Sequence, residues 1–220
     1  PCKGAVVALE PSTGKILAMV SSPSYDPNLL ATHDIAEQAT AWQELRDDAD
    51  SPLMNRAISE TYPPGSTFKV LTTAAALQAG ETPESEVTAQ PEIALPDSTA
   101  MLENFGGTPC GTEPTTNLRY AFAHSCNTAF VQLGIRTGAD ELRSTARAFG
   151  VDVVPAAIPL QVAESTIGPI SDDAALGMSS IGQKDVALTP LQNAMIAATV
   201  ANKGITMQPY LVESLKGPDL

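Results

Sequence analysis

The stretch Tyr62-Pro-Pro-Gly-Ser-Thr-Phe-Lys69, followed directly by Val70-Leu-Thr-Thr-Ala-Ala-Ala-Leu-Gln-Ala79 and Gly80, decides how this chain folds. Its prolines and glycine prevent an earlier helix start, and Gly80 is a natural C-terminal stop, so the apolar run predicts one helix that begins at or beside Ser66. Because this helix is apolar almost all round, it belongs in the middle of a protein. Serine and lysine side chains three residues apart lie on one face of such a helix, within reach of each other.

Ser66 and Lys69 are therefore a candidate nucleophile and a candidate proton acceptor. The start of a helix offers unpaired backbone N–H groups and a positive dipole end, which suit a developing oxyanion. Burial lowers the pKa of a lysine, and the neutral amine can then take the serine proton. The alternative is a serine cap beside a lysine that extends to solvent, and the motif alone does not decide between them. A second Ser-x-x-Lys, Ser12 to Lys15, lies in a predicted hairpin turn and is interpreted as structural.

The segment Ser125-Cys-Asn127 favours the catalytic interpretation. It lies at a break between predicted helices over 117–124 and 128–134. A hydroxyl and an amide two residues apart at such a break can point into one cleft. There Ser125 can relay a proton between the lysine and a leaving group, and Asn127 can hold a substrate carbonyl. Taken alone, Ser-x-Asn is most often a turn or a cap.

The composition excludes several classes of function. Among 220 residues, 12 Lys and Arg stand against 25 Asp and Glu, and the formal net charge of −13 argues against binding of nucleic acid or of an anionic membrane surface. Three cysteines without a CxxC pair, and only two histidines, argue against a zinc site. Because Cys126 lies inside the candidate site, we expect it to be free, which leaves Cys2 and Cys110 as the possible disulfide.

The remaining elements are predicted from periodicity and turn residues. A hairpin is expected over 4–20, and because neither of its apolar runs alternates cleanly, both faces of its sheet should be covered. Further predictions are helices over 36–46, 140–149 and 189–202, an irregular excursion over 81–116, a loop-rich stretch over 153–180 and a strand over 210–215. We divide the chain into a hairpin with the first helices (1–60), a mainly helical region with the candidate site (61–202) and the start of a returning sheet segment (203–220).

Together these segments resemble the transpeptidase domain of class B penicillin-binding proteins, whose signature combines Ser-x-x-Lys, a Ser-x-Asn type motif and Lys-Thr-Gly. The similarity extends over essentially the whole chain and is closest to members from mycobacteria and related actinobacteria. It rests on Ala5 to Met19, Asn55-Arg-Ala57, Tyr62 to Lys69, Ser125-Cys-Asn127, and Ile181-Gly-Gln-Lys184 with Thr189-Pro-Leu-Gln192. The resemblance implies an α+β fold shared with serine β-lactamases, in which an antiparallel sheet packs with helices and an all-helical subdomain is added.

The resemblance also implies roles for the candidate residues. Ser66 would be the nucleophile, and its backbone N–H would form one half of the oxyanion hole. Lys69 would be the base, Ser125 would relay the proton, and Asn127 would bind the substrate. The implied enzyme is a peptidoglycan D,D-transpeptidase that acts on stem peptides ending in D-Ala-D-Ala, is inhibited by β-lactam antibiotics and needs neither a cofactor nor a metal. It would be membrane-anchored on the extracytoplasmic side of the bacterial membrane and serve cell-wall synthesis and cell division, with cell-division proteins as partners.

Two features depart from the family pattern. Lys184 stands where many relatives have glycine, and no Lys-Thr-Gly occurs before Leu220. In the family, the Lys-Thr-Gly strand supplies the other oxyanion N–H and the contacts with the substrate carboxylate. We therefore expect residues 1–220 to be one segment of a longer polypeptide. A downstream segment that carries Lys-Thr-Gly should pack against the hairpin and face Ser66 across a cleft.

Two other classes of protein share the first motifs. A class A β-lactamase also needs a deacylating glutamate, usually within Glu-x-x-Leu-Asn, and none of Glu141, Glu164 and Glu213 lies in that pattern. Turnover of nitrocefin would distinguish that class. A β-lactam sensor or penicillin-binding module that is acylated once would use the same residues, and its distinguishing feature would be several membrane spans before this region.

Overall fold

The structure, a computed structural model, describes residues 3–154 and 158–217 and shows an α+β arrangement of short strands and helices. The strands are β1 (Gly4–Leu9), β2 (Ile16–Ser22), β3 (Glu86–Thr88), β4 (Glu92–Ala94), β5 (Met101–Glu103) and β6 (Thr115–Asn117). The helices are α1 (Ile35–Asp47), α2 (Arg56–Ser59), α3 (Lys69–Gln78), α4 (Leu118–Ala123), α5 (Asn127–Thr137), α6 (Ala139–Ala148), α7 (Asp173–Ser180) and α8 (Pro190–Ala201). None of the helices in the described residues is long and apolar enough to cross a membrane.

These elements form two compact units. Unit 1 consists of the described residues within Pro1–Thr61, Ala156–Ala163 and Thr189–Leu220, and unit 2 of those within Tyr62–Pro155 and Glu164–Leu188. Helix α8 belongs to unit 1 because its buried side chains pack with those of β1, β2 and α2. The division made from the sequence had placed this helix with the candidate site, in the region 61–202.

The hairpin of unit 1 pairs β1 with β2 antiparallel, with Gly4 opposite Ser22. Gly14 closes the turn at a φ of +84°, and a Cβ there would overlap the carbonyl oxygen of Gln208. Lys15 follows this turn, half exposed, and pairs with Glu213 at 3.4 Å. The structural interpretation of the first Ser-x-x-Lys is therefore confirmed.

One face of the hairpin is covered and the other is exposed. The covered face packs against Ile58 of α2 and against Leu191 and Met195 of α8. On the other side Val6 and Leu17 are more than 60% exposed, so the described residues cover only one face of the hairpin, and the expectation that both faces are covered stays a prediction. The strand predicted over 210–215 is wrong. Tyr210 makes an isolated bridge with Lys15, and residues 211–217, the last that the structure describes, form no strand.

A buried arginine anchors the loop before α2 in unit 1. Arg56 is 1% exposed. Its guanidinium donates to the backbone oxygens of Asp50 and Ser51 at 2.6 and 3.2 Å, and it pairs with the carboxylate of Glu60 at 3.3 Å. These contacts tie the loop to the helix because a guanidinium presents several donors in a fixed plane.

The core of unit 2 is helical. Helix α3 packs against α5 and α6, and α5 packs against α7. The last pair approaches so closely that a Cβ at Gly134 would overlap the side chain of Ser180. Helix α7 lies within the stretch that was predicted to be loop-rich, whereas α4, α5, α6 and α8 lie close to their predicted positions.

The excursion between α3 and α4 is more regular than its sequence indicates. Strand β3 pairs with β6, and β4 pairs with β5, all antiparallel and each three residues long. The Asn104 side chain fastens this region to α5, because it donates to the backbone oxygens of Gln90 and Thr108 and accepts from the N–H of Thr128 at 3.1 Å. The prediction of a wholly irregular segment was therefore wrong.

Candidate active site

Ser66 lies exposed in a 3-10 turn, Gly65–Phe68, that leads directly into α3. Gly65 has a φ of +55°, and its N–H donates to the carbonyl oxygen of Gly182 at 3.0 Å. A Cβ at Gly182 would overlap the backbone of Gly65, so this close approach requires glycine. On the other side, the N–H of Lys69 donates to the carbonyl of Ser66. Hydrogen bonds on both sides of Ser66 thus fix the backbone of the candidate nucleophile at the start of the helix.

Lys69 is the first residue of α3 and is 1% exposed. Its Nζ lies 2.7 Å from the backbone oxygen of Ser125, 3.2 Å from the Ser125 Oγ and 2.8 Å from the Oδ1 of Asn127. The ring of Phe130 lies 5.4 Å from the amine. Burial lowers the pKa of Lys69 from 10.5 to about 8. This direction agrees with the loss of basicity expected for a buried lysine.

The hydrogen-bond partners of Lys69 fit a neutral amine. The backbone oxygen of Ser125 and the amide oxygen of Asn127 can only accept, and a neutral amine has two N–H groups to donate to them. One lone pair then remains, and it can accept a proton from a hydroxyl group. The Ser125 hydroxyl is within reach at 3.2 Å, and Ser66 lies three residues earlier in the chain. When Lys69 loses a proton, its two remaining N–H groups can still donate to the backbone oxygen of Ser125 and to the amide oxygen of Asn127.

Ser125 occupies a strained position at the break between α4 and α5. Its φ is +55°, a left-handed conformation that costs a non-glycine residue about 1 kcal/mol. The strain is held by the hydrogen bond from its N–H to Phe122 O and by the one from the N–H of Cys126 to Ala121 O. This conformation presents both the carbonyl and the hydroxyl of Ser125 to the amine of Lys69. Strained backbone of this kind is concentrated at functional sites.

Asn127 opens α5 and is only partly exposed. Its Oδ1 accepts from Lys69, and its Nδ2 donates to the backbone oxygen of Glu103 at 3.2 Å. An amide nitrogen carries two hydrogens, so the second remains for another acceptor. The structure therefore brings Lys69, Ser125 and Asn127 together in unit 2, and Lys69 lies on the same segment as Ser66.

This arrangement coincides with a match to a known family. Residues 4–218 match the model described as the penicillin binding protein transpeptidase domain. The chain belongs to this family. The expected fold class, α+β with the penicillin-binding transpeptidase fold, is thereby confirmed.

Individual members of the transpeptidase family agree with this assignment. Peptidoglycan D,D-transpeptidase PbpA of Mycolicibacterium smegmatis is 75% identical over 220 residues, which is 100% of this chain and 45% of that protein. The structure of penicillin-binding protein A from M. tuberculosis in a ceftriaxone acyl-enzyme complex is 76% identical with a TM-score of 0.96, and the match covers 100% of this chain and 49% of that one. PBP2 of Pseudomonas aeruginosa is 33% identical with a TM-score of 0.85, over 98% and 48% of the two chains. The chain therefore spans less than half the length of these mycobacterial PbpA relatives, 45% in each case.

The cysteine prediction for this transpeptidase domain was wrong. Cys126 is not free but forms a disulfide with Cys110, with the two Cα atoms 5.9 Å apart. Cys2, the partner predicted for Cys110, lies outside the described residues. The side chains of residues 125 and 127 contact Lys69, whereas that of Cys126 is 4% exposed and belongs to the hydrophobic core. A cysteine inside the motif can thus form a disulfide, because its side chain packs in the core while its two neighbours contact Lys69.

The interactions that support the site of the transpeptidase domain were not predicted from the sequence. Asn104 and the backbone of Glu103 position the start of α5, yet the Glu103-Asn-Phe-Gly segment follows no recognisable pattern. Lys184 has a φ of +61°, a backbone conformation that favours glycine. Among the described residues, no group of three or more His, Cys, Asp or Glu could hold a metal ion.

Proposed function

We propose that the protein carrying this chain is a peptidoglycan D,D-transpeptidase that forms its acyl-enzyme on Ser66. One observation carries the proposal: the buried Lys69 has a pKa lowered to about 8 and shares its hydrogen bonds between Ser125 and Asn127. Such an amine is a base for a serine three residues earlier. The similarity to the mycobacterial peptidoglycan D,D-transpeptidases PbpA supports the same reaction.

The acylation half of the reaction starts with a proton transfer. The neutral amine of Lys69 takes the proton of Ser66 as its Oγ attacks the carbonyl of the penultimate D-Ala. The C–N bond to the terminal D-Ala breaks, and the proton passes from Lys69 through the Ser125 hydroxyl to the departing amine. The N–H of Ser66 stabilises the oxyanion, and the free N–H of Asn127 holds a backbone carbonyl of the stem peptide.

The transfer half of the reaction reverses this path. An amine of a neighbouring stem peptide attacks the ester on Ser66, and a new amide bond forms. The proton of that amine passes through Ser125 and Lys69 back to the Ser66 oxygen, which leaves as a hydroxyl. β-Lactams resemble the donor peptide and would acylate the same oxygen; penicillin-binding protein A from M. tuberculosis forms acyl-enzyme complexes with ceftriaxone and penicillin G.

The finer parts of the proposal concern the whole protein. A further segment with Lys-Thr-Gly would complete the oxyanion hole, and the enzyme would work at the extracytoplasmic face of the bacterial membrane. Stem peptides ending in D-Ala-D-Ala would be its substrates, and cell-division proteins would be its partners in septum formation. The similarity over the whole chain to the transpeptidase PbpA supports these expectations.

The test uses the full-length protein and a fluorescent penicillin. Mass spectrometry should find one covalent adduct, on the peptide that contains Ser66, and Ser66→Ala should abolish it. Ser12→Ala is the matched control, because Ser12 also lies three residues before a lysine and should not affect labelling. A label that survives Ser66→Ala, or that maps to Ser12, would refute the assignment.

A second assay separates the transpeptidase from the alternatives. Incubation with peptidoglycan precursors should release D-Ala and give cross-linked stems. A β-lactam sensor or binding module would be acylated without producing cross-links. A serine β-lactamase would hydrolyse nitrocefin with many turnovers.

A further inference from the structure

A cleft of about 240 Å³ opens beside Ser125 within unit 2, and the reaction steps described above leave it without a role. We refer to it as the aromatic cleft. It is lined by Asn104, Phe105, Thr108, Pro109, Cys110, Gly111, Tyr120, His124, Ser125 and Cys126. The described residues that line it thus include three rings and no Lys or Arg.

Two of the three aromatic rings that line the aromatic cleft are stacked on each other. Tyr120 and His124 are stacked, with centroids 3.8 Å apart and planes at 19°. Phe105 is 96% exposed and Tyr120 is 39% exposed, so much aromatic surface faces outward. The His124 Nδ1 lies 3.0 Å from the carbonyl oxygen of Tyr120, which can only accept, so Nδ1 carries the hydrogen. In the neutral ring, Nε2 is then left as an acceptor.

Ser125 connects this cleft to the catalytic base. Its hydroxyl lies 3.2 Å from the Lys69 amine, and the same residue forms part of the wall of the cleft. In the proposed reaction the departing amine receives its proton through Ser125, and the attacking amine returns one through Ser125. Both amines must therefore come within hydrogen-bond reach of Ser125, one before and one after acylation.

The lining of the cleft indicates which substrate group it takes. A carboxylate needs a cationic or multiple N–H partner, and the lining side chains include no Lys or Arg. A cationic amine is instead attracted to ring faces and to a nitrogen acceptor. The formal net charge of −13 also favours a cation over an anion.

We propose that the aromatic cleft is the acyl-acceptor subsite and binds the amine-bearing side chain of the second stem peptide. The inference rests on the proposed transpeptidase function and adds the location and the chemistry of acceptor recognition. Phe105 and the Tyr120–His124 stack hold the ammonium-bearing chain, and His124 Nε2 accepts a hydrogen bond from it. Release of one proton to solvent gives the neutral amine that attacks the ester on Ser66.

The experiment uses the full-length protein acylated by a thioester donor peptide, with Nα-acetyl-lysine amide as the amine probe. The ratio of amide product to hydrolysed donor is measured against probe concentration, and penicillin acylation is measured in parallel. Phe105→Ala and His124→Ala should each raise the KM for the probe about two- to fivefold, the loss expected for a cation–ring contact at an exposed site. His33→Ala, a change of the other histidine in the chain, is the control and should leave that KM unchanged.

The possible outcomes are distinguishable. Wild-type protein that is not acylated by penicillin would refute the proposed function and the subsite with it. Normal acylation with an unchanged probe KM in both Phe105→Ala and His124→Ala would refute the subsite alone. If His124→Ala lowers acylation and transfer equally and Phe105→Ala leaves the probe KM unchanged, the rings are structural and the inference is wrong. Because the Phe105 side chain is 96% exposed, its removal tests the cleft without disturbing the fold.

Discussion

The titration of Lys69 gives the most quantitative prediction. With a pKa lowered from 10.5 to about 8, roughly 9% of the amine is neutral at pH 7, against about 0.03% for an unperturbed lysine. The neutral fraction is about 1% at pH 6 and about 90% at pH 9. The rate of acylation should therefore rise nearly tenfold per pH unit below pH 8, level off above it, and increase about 90-fold between pH 6 and pH 9.

The same shift has a cost in stability. Unfolding returns Lys69 to the pKa of 10.5, so between about pH 8 and 10.5 the unfolded state binds more protons than the folded one. The free energy of unfolding therefore rises with pH in that window. Below about pH 8 the full cost applies, about 3 kcal/mol at 1.36 kcal/mol per pKa unit.

The assay is the second-order rate constant for labelling of the full-length protein by fluorescent penicillin, measured from pH 6 to 9.5. Lys69→Arg is the decisive variant, because a guanidinium keeps its charge but stays protonated. We expect it to lose more than tenfold in rate at every pH and to show no inflection near pH 8. A flat wild-type profile, or a Lys69→Arg rate within about tenfold of wild type, equal to roughly 1.4 kcal/mol of barrier, would refute the role of Lys69 as the base.

Three further predictions concern the surroundings of the site. Asn127→Asp should lower acylation at pH 7 about tenfold and move the pH profile upward, because a carboxylate 2.8 Å from the Lys69 amine favours its charged form. Cys126→Ser should lower the free energy of unfolding by about 3 kcal/mol in urea denaturation, because the lost disulfide closes a loop with a sequence separation of 16. Gly134→Ala should lower the melting temperature, because its methyl group would overlap Ser180 and overpacking costs about 1–3 kcal/mol.

Each of these predictions has a control. A slower Asn127→Asp with an unshifted pH profile would show that the carboxylate acts on substrate binding or on the fold and not on Lys69. Dithiothreitol should destabilise the wild type about as much as Cys126→Ser, and a reductant effect that persists in that variant would contradict the assignment of the bond. Gly4→Ala is the matched control for Gly134→Ala, since nothing lies within 4 Å of a Cβ at Gly4. Equal melting temperatures for the two glycine variants would contradict the close approach of α5 and α7.

The catalytic segment was predictable because its signals are local. The prolines and glycine before Ser66, the apolar run after Lys69 and Gly80 at its end determine one helix with both groups at its start. The break at Ser125 was predictable for the same reason, since two helical patterns stop on either side of it. The roles of these residues in the reaction remain predictions for the labelling and acylation assays.

The features that were mispredicted depend on contacts far apart in the chain. The N–H of Cys110 donates to Ala89 O at 2.7 Å within the excursion, and Asn104 accepts from the N–H of Thr128 in α5, so distant contacts bring Cys110 beside Cys126. Strands of three residues such as β3 and β6 are too short to show an alternating pattern, and only their pairing with each other defines them. The strand predicted over 210–215 failed in the opposite way: its composition suits a strand, yet in the described residues only Tyr210 makes a bridge, with Lys15.

Arg56 and Lys69 show how two equally buried cations differ in what they can do. Each is 1% exposed, and each points its nitrogen atoms at oxygen atoms. A guanidinium keeps its proton at any pH a protein meets, so Arg56 acts as a permanent tie between a loop and a helix. An amine in a comparable environment releases its proton near neutral pH, and this release is what suits Lys69 to chemistry. If the two side chains were exchanged, a lysine would anchor the loop, and this anchor would weaken as the lysine loses its proton in mild alkali. An arginine would stand at position 69, and it could not accept the proton of Ser66.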